Sequence, residues 1–362
     1  MTNAFTASGL LGGYLDDVEI AAEFDATAFA RRMLRFEKAW TEALRRAGAA
    51  TEAGASEALD RIAGMERGGW PAGPGAAGRR DGVPVPALVA ALREGLSADA
   101  ARAVHTGATS QDVLDTATVL TALAVLGILD RQLQGVVEAI AALERRFGAD
   151  PLTARTRMQA ALPATAALRL AAWRRPLEDH LARLGPLRSE LAVAQIGGPA
   201  GLRDMPSGVA EDVATALGLT LGPVWHTDRS RILGFGHWLA LVAGSLGKIG
   251  ADVLLMAQGG EIAFPGGGGS SAMPHKRNPV GAEAAVALAR YVGGLQGVLA
   301  GSMLHEQERS GAAWALEWLT LPSMAEATGA ALGHVANLAH AVERIGAERE
   351  GTRGGENPTR SH

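Results

Sequence analysis

ILGFGHWLALVAGSLGKIGADVLLM, residues 232–256, nearly coincides with the most apolar stretch of this 362-residue chain, residues 233–257. Its apolar residues recur at the three- and four-residue intervals that mark one face of an α-helix. The positions with this spacing are Ile232, Leu233, Phe235, Leu239, Val242, Leu246, Ile249, Val253 and Met256. Few polar residues interrupt them, so we expect a helix buried on most sides, in a bundle or at a subunit contact. His237, Lys248 and Asp252 favour a buried helix of a soluble protein over a membrane span.

The composition outside this stretch also favours helix. Alanine, the strongest helix former, is the commonest residue, and the aromatic residues that favour strands make up only 4% of the chain. Proline breaks helix interiors, and it is absent from residues 87–150, 224–264 and 280–321. These windows can hold long uninterrupted helices, and we predict an all-α protein.

Charge and cysteine content exclude several classes of function. The net charge of −4 argues against wholesale binding of nucleic acid. The absence of cysteine rules out disulfides, thiolate metal sites and a cysteine nucleophile, and it suits a reducing cytoplasm. The N-terminal sequence has no basic segment ahead of a long apolar core, so no signal peptide is expected.

The first of three segments that could carry chemistry is HTGATSQD, residues 105–112. It places hydroxyl groups and a histidine just before a predicted long helix. Free N–H groups and a partial positive charge at a helix N-terminus suit a carboxylate ligand. The alternative is that Thr109, Ser110 or Asp112 simply caps the helix.

The second segment is TARTRMQAALP, residues 153–163. Arg155 and Arg157 flank Thr156, and Gln159 follows. The planar guanidinium group of arginine is suited to recognising a carboxylate with two hydrogen bonds. The alternative is a pair of solvated surface arginines.

The third segment is GGGGSSAMPHKRNP, residues 266–279. Its glycines supply flexible backbone and unobstructed N–H groups, and His275, Lys276 and Arg277 supply positive charge. A flexible linker is the alternative, although a linker does not explain MPHKRNP. A phosphate-binding loop is less suitable because the GxxxxGK[ST] pattern is absent.

Together the three segments resemble the active-site segments of the fumarase/aspartase superfamily. GSSAMPHKRNP, residues 269–279, is similar to the signature loop of that superfamily, and HTGATSQD and TARTRMQ are similar to its other two segments, in the same order. The resemblance extends over residues 5–345 and implies an all-α, L-aspartase-like fold. We therefore expect an N-terminal helical domain over residues 1–103, a central catalytic helix bundle over 104–345 and a disordered tail over 346–362. The C-terminal domain that most members carry is expected to be largely missing.

Two further stretches resemble the 3-carboxy-cis,cis-muconate cycloisomerase branch: DGVPVPALVAALR, residues 81–93, and QERSGAAWALEWLTLP, residues 307–322. Arg157 stands where adenylosuccinate lyases usually carry a histidine. Those lyases also tend to carry a histidine–aspartate pair in their N-terminal region, and no histidine precedes His105 here. Both observations argue against a nucleotide substrate. Such cycloisomerases lactonise 3-carboxy-cis,cis-muconate to 4-carboxymuconolactone in aromatic catabolism, in the protocatechuate branch of the β-ketoadipate pathway. The alternatives are another lyase of the superfamily, such as an adenylosuccinate or argininosuccinate lyase, and a non-catalytic structural paralogue.

The resemblance also implies a role for individual residues. Ser270 is the implied general acid/base, and Lys276 would stabilise its alkoxide and the charge that develops on the substrate. His105 is a second candidate acid/base or a cation, or else it makes a structural hydrogen bond. The other expected site residues are the substrate-binding Thr109, Ser110, Arg155, Thr156, Gln159 and Asn278, and the loop hinges Gly266, Gly267, Gly268 and Gly269.

The implied reaction uses a small polycarboxylate substrate and requires no cofactor and no metal. The sequence has no HExxH motif and no other plausible metal-ligand spacing. In the resembling family each site takes its three segments from three chains, so we expect a homotetramer with shared active sites. We expect no nucleic-acid or membrane partner, and a cytoplasmic location.

Overall fold

The computed structural model describes residues 13–68, 74–265, 268–269 and 277–346. Within these ranges long α-helices dominate, and the prediction of an all-α, L-aspartase-like fold is confirmed. The helices are α1 Val18–Glu23, α2 Ala26–Arg46, α3 Glu52–Gly68, α4 Pro74–Asp81, α5 Val85–Arg93, α6 Ala98–Ala103, α7 Ser110–Phe147, α8 Ala166–Ala182, α9 Leu184–Leu191, α10 Val209–Ala216, α11 Ser230–Gln258, α12 Val280–Ala300 and α13 Gly311–Ala341. A 3-10 turn, Gly301–Met303, follows α12.

The strands of the described ranges form four two-stranded pairings. They are the hairpin of β1 Pro151–Thr156 with β2 Gln159–Thr165, and the two-residue pairings of β3 Val193–Ala194 with β4 Thr220–Leu221, β5 Ile262–Ala263 with β8 Arg344–Ile345, and β6 Gly268–Gly269 with β7 Arg277–Asn278. The sequence analysis did not predict the β1–β2 hairpin. Its turn residues, Arg157 and Met158, adopt φ of 47° and 67° without the glycine or asparagine that usually signals such a turn.

Helix α11 is the predicted apolar helix, and it extends slightly beyond residues 232–256 at both ends. Of the nine predicted apolar positions, all except Leu233 are buried. Helix α12 packs closely against it because glycine stands at the contact. A Cβ atom added to Gly247 would lie 2.4 Å from the Cβ of Ala289. The glycine and alanine content of these helices therefore sets how closely they approach.

Contacts at the two ends of α7 and α11 show that these helices run in the same direction. Arg229, just before α11, pairs with Asp115 in the first turns of α7. Glu261, just after α11, pairs with Arg155, which follows α7. Helix α7 has 38 residues and is therefore about 57 Å long at roughly 1.5 Å per residue. The residues before α7 and those after it consequently lie at opposite ends of the bundle.

Among the described residues, three helices are long and apolar enough to cross a membrane, by length and composition alone. The most apolar window of α7 is 83% buried and that of α11 is 50% buried, whereas only 28% of the window in Val280–Met303 is buried. Exposed apolar side chains on and beside α12 include Val280, Val298 and Leu304. An apolar surface of this kind commonly marks a contact with another molecule.

The domain boundaries at residues 103 and 345 and the largely missing C-terminal domain stay predictions. Residues 347–362, which make up nearly all of the predicted tail, lie outside the described residues.

Candidate active site

The first segment turns directly into the N-terminus of α7. Thr109 is the N-cap residue, with extended backbone, and its N–H donates to Oδ2 of Asp112 at 3.1 Å. The Thr109 side chain in turn faces the backbone N–H of Asp112, and the two reciprocal contacts form a capping box. The capping interpretation of Thr109 and Asp112 therefore describes part of the geometry. The Ser110 hydroxyl has no hydrogen-bond partner among the described residues, and it remains available to a ligand at the helix N-terminus.

Asp112 joins the first segment to a second loop. Its fully buried carboxylate accepts hydrogen bonds from the backbone N–H groups of Gly197 and Gly198, at 2.8 and 3.0 Å. Gly198 has φ of 69°, and a Cβ atom there would lie 3.2 Å from the carbonyl oxygen of Gly107. The two loops can approach this closely because glycine is present, and Asp112 holds them together.

A cation that the sequence analysis did not assign contacts the first segment at Gln111. Arg309 donates from Nε to Oε1 of the buried Gln111 at 2.7 Å, and from Nη2 to the carbonyl oxygen of Pro199 at 3.2 Å. The side chain is otherwise exposed. The first segment therefore combines a free hydroxyl, a helix N-terminus and a guanidinium group, which together suit a carboxylate.

Beneath this segment lies a buried ionic cluster of Arg229, Asp115 and Glu317. The guanidinium of Arg229 forms two hydrogen bonds to each carboxylate, at 2.7 to 3.0 Å, and all three side chains are at most 1% exposed. Burial alone would lower the pKa of Arg229, but Asp115 and Glu317 outweigh it and raise that pKa. Burial raises the pKa of Glu317 despite the opposing effect of Arg229. The cluster ties α7, α11 and α13 together under the site.

His105 precedes this helix N-terminus in a strained conformation. Its φ is 60°, in the left-handed region that residues other than glycine rarely adopt. Its Nδ1 atom lies 2.6 Å from Oε1 of Glu37, which is fully buried on α2. The structural hydrogen bond that the sequence analysis left open is therefore present. It leaves Nε2 of His105 for another role.

The second segment forms the exposed tip of the β1–β2 hairpin. Thr156 and Gln159 are the last paired residues before the turn, and both are exposed. Directly paired residues of an antiparallel hairpin project from the same face. The fold therefore brings these two predicted substrate-binding side chains together at the tip.

Arg155, unlike Thr156 and Gln159 at the hairpin tip, forms an ion pair. Its Nη2 atom lies 2.7 Å from Oε1 of Glu261, and its side chain is 43% exposed. A cavity of about 470 Å³ adjoins this ion pair. The charged residues that line it are Arg155, Arg157, Arg169, Lys248, Asp252 and Glu261. A carboxylate in this cavity would meet a surplus of positive charge, although Glu261 already pairs with Arg155.

The third segment is described only at its ends. The two-residue strand Gly268–Gly269 pairs with Arg277–Asn278, so these parts of the loop lie side by side. The predicted Ser270, Lys276, Gly266 and Gly267 lie outside the described residues. Their roles, and those of Gly268, Gly269 and Asn278, stay predictions.

The three segments do not meet within one chain. The first precedes α7 and the second follows it, so α7 separates them by about 57 Å. Asn278 lies just before α12, whose N-terminal half packs against the C-terminal half of α11, where Ala282 approaches Gly250. The ends of the third segment are therefore near the hairpin and far from Ser110.

Two residues near the first segment, Arg309 and Glu37, were missed by sequence reasoning. Arg309 lies in the stretch that resembles one enzyme branch, and the sequence analysis did not single out Glu37. Nothing in the local pattern pairs either residue with the first segment. Within the described ranges no three side chains of the metal-ligating types cluster together. The expectation of no metal and no cofactor stays a prediction.

Comparison with known proteins places the chain in a family. Residues 1–294 match the model of the lyase family. The chain belongs to this family, within the fumarase/aspartase superfamily.

The relatives in this family point to one enzyme in particular. A 3-carboxy-cis,cis-muconate cycloisomerase of Pseudomonas aeruginosa is 42% identical over 256 residues, an alignment that covers 68% of this chain and 56% of the relative. An enzyme of the same name from Bradyrhizobium diazoefficiens is 37% identical over 360 residues, covering 93% of this chain and 77% of the relative. The crystal structure of the 3-carboxy-cis,cis-muconate lactonizing enzyme from Pseudomonas putida superposes with a TM-score of 0.85, at 33% identity, covering 93% of this chain and 77% of that one.

Proposed function

We propose that this chain is a 3-carboxy-cis,cis-muconate cycloisomerase, which closes its substrate to 4-carboxymuconolactone. The observation that carries the proposal is the 37% identity over 93% of the chain with a relative of that name. An alignment of this extent includes all three candidate segments. The reaction would belong to aromatic catabolism, in the protocatechuate branch of the β-ketoadipate pathway, and we place it in the cytoplasm.

In this reaction a carboxylate oxygen adds to a double bond while a proton is delivered to the neighbouring carbon. The demanding species is a carbanion whose charge spreads into the adjacent carboxylate, and fixed positive charge lowers its energy. Ser270 would exchange the proton, and Lys276 would stabilise the negative charge. Ser110 and Arg309, at the N-terminus of α7, would hold a substrate carboxylate.

Thr156 and Gln159 would bind the substrate from the hairpin tip, and Asn278 from the end of the signature loop. The glycines at 266–269 would act as hinges that allow the loop to close over the substrate and exclude water. Arg155 would contribute less directly, because its guanidinium pairs with Glu261.

We further propose a homotetramer in which each site takes its segments from different chains. The length of α7 supports this arrangement, since one small substrate cannot touch both ends of a helix of about 57 Å. The exposed apolar side chains along α12 also support it, because association would remove them from water.

The test is an ultraviolet assay of the purified full chain that follows loss of the conjugated diene of 3-carboxy-cis,cis-muconate. Fumarate and adenylosuccinate are assayed in parallel, and the product is identified by proton NMR as the lactone. Turnover of adenylosuccinate or fumarate without turnover of the muconate would favour another lyase. Inactivity towards every substrate, in a correctly folded protein, would favour the non-catalytic paralogue.

A further inference from the structure

Helix α2 presents three side chains to the loop that precedes α7. Glu37, Trp40 and Thr41 lie on one face of α2, at the spacing of successive helical turns. Trp40 donates a hydrogen bond to the backbone carbonyl of Thr106 in this loop at 3.0 Å, and Thr41 donates one to the carbonyl of Ala103, the last residue of α6, at 3.2 Å. Glu37 instead contacts a side chain, Nδ1 of His105, at 2.6 Å. Trp40 and Thr41 therefore bind the backbone, whereas Glu37 binds a titratable side chain.

The environment of Glu37 shows that its contact with His105 is specific. The residue is fully buried, and its second carboxylate oxygen, Oε2, has no hydrogen-bond partner among the described residues. Burying a carboxylate is costly unless its oxygens are bonded. Loop anchoring alone does not require that cost, because the neutral side chains of Trp40 and Thr41 already hold the loop and the end of α6 that leads into it.

The His105 ring is held with one nitrogen inward and the other available. An ionised carboxylate can only accept a hydrogen bond, so with Glu37 ionised it is Nδ1 of His105 that carries the proton in this pair. In the described part of the chain Nε2 has no partner, and 14% of the side chain remains exposed. The hydrogen bond at one ring nitrogen determines which tautomer the other nitrogen presents.

We propose that Glu37 is a positioning residue that fixes the Nδ1–H tautomer of His105, so that Nε2 without its proton is the nitrogen presented to bound substrate. The left-handed backbone of His105 directs the ring towards α2, and the buried carboxylate holds it there. The part of the proposal that concerns substrate rests on the cycloisomerase function, whereas the part that concerns the tautomer does not.

The tautomer is measured directly by magic-angle-spinning NMR of sedimented protein labelled with ¹⁵N in the histidine rings. The chain has nine histidines, and a His105→Asn sample identifies the signals of interest. Over a pH series, Nδ1 of His105 should keep its proton while Nε2 loses its own. Loss of the Nδ1 proton first would overturn the proposal. This measurement uses the wild-type protein, so it is decisive even if a Glu37 variant fails to fold.

Kinetics then separate positioning from simple loop anchoring. Glu37→Gln should remove the tautomer preference and lower kcat at least about tenfold, a smaller loss than the roughly hundredfold to ten-thousandfold expected when a proton-transfer group itself is removed. KM should stay within about threefold, because bound substrate is not contacted by Glu37. Thr41→Val is the matched control: it loosens α2 from the end of α6, where the same loop begins, without touching His105.

Thr41→Val should keep the His105 tautomer and a kcat within about twofold of wild type, even if its Tm falls as much as that of Glu37→Gln. Equal losses of kcat in the two variants would show that Glu37 only anchors the loop, and the proposal would be wrong. If wild-type protein does not turn over the muconate, the proposed function fails while the NMR result still decides the tautomer.

Discussion

The guanidinium of Arg155 and the carboxylate of Glu261 approach within 2.7 Å, which joins the hairpin of the second segment to the chain just before the signature loop. Arg155 was predicted to bind substrate, and in the structure its charge already has a partner. The ion pair sits at the junction of two candidate site segments. The ion pair therefore connects the two segments, and we call it the connector.

The first prediction tests this connector with a double-mutant cycle. Arg155→Gln and Glu261→Gln should each lower kcat/KM several-fold, and the double variant should be little worse than either, because both remove one interaction. The effect on the free energy of unfolding should stay below about 1 kcal/mol, since the arginine is substantially exposed. Additive losses, with the larger one in KM for Arg155→Gln, would instead indicate direct substrate binding.

Ser270→Ala should abolish measurable turnover while the far-ultraviolet circular dichroism and Tm remain those of wild type. The expected loss is at least about a hundredfold to ten-thousandfold, the range for a proton-transfer group. Steady-state assay of the muconate at saturating concentration measures it. Activity near that of wild type would move the acid/base role to another residue, with His105 the first candidate.

Complementation between inactive chains tests the shared site. Ser270→Ala and Arg309→Met affect different candidate segments, which the proposed shared site takes from different chains, so co-expressed and differently tagged chains should form hybrids with some intact sites and restored activity. The matched control is co-expression of Ser270→Ala with Lys276→Met. Both of those changes lie in one loop, so every hybrid site keeps one defect. Purified hybrids of the first pair that stay as inactive as the control pair would contradict the shared site.

Arg229→Met should destabilise the fold strongly. The change leaves Asp115 and Glu317 buried without their counter-ion, and removal of one partner from a buried ion pair typically costs about 3–5 kcal/mol. Arg231→Met is the control, because Arg231 also packs on the Trp225 ring but is less buried, and it should cost about 1 kcal/mol. Urea unfolding measures both. Similar losses of unfolding free energy in the two variants would mean that the buried ionic cluster contributes little to stability.

Acid should reduce stability through His180. Burial lowers the pKa of this histidine, so the folded state binds its proton less readily than the unfolded chain does. The unfolded chain then takes up the proton as the pH falls below about 6.5, and the free energy of unfolding falls with it. Above that pH the contribution is fully present. Urea unfolding measured from pH 5 to 8 should show that the free energy of unfolding depends less steeply on pH in His180→Gln than in wild type. An unchanged dependence on pH would contradict this assignment.

Sequence periodicity was most informative where burial alone determines structure. Eight of the nine apolar positions of α11 are buried as predicted, because a helix in the interior of a bundle needs apolar groups on most of its surface. The β1–β2 hairpin was not predicted because Arg157 and Met158 carry no turn signal. In the hairpin, pairing of the two strands outweighs the preference of Arg157 and Met158 for negative φ.

The candidate site was predictable as segments but not as an arrangement. Ser110, Thr156 and Gln159 could be selected because their motifs are local. Glu37 and Arg309 could not, because each reaches the first segment from a helix or loop that is distant in sequence. Long-range contacts of this kind depend on how helices pack, and no local spacing encodes them.

Helix α7 has one further consequence for the behaviour of the protein in dilute solution. If its two ends serve different sites, each catalytic centre exists only while chains remain associated. Specific activity then depends on protein concentration, and it falls on dilution below the dissociation constant of the assembly even though every chain keeps its fold. A substrate bridging segments of different chains would oppose that dissociation. The substrate is then also a ligand that holds the oligomer together.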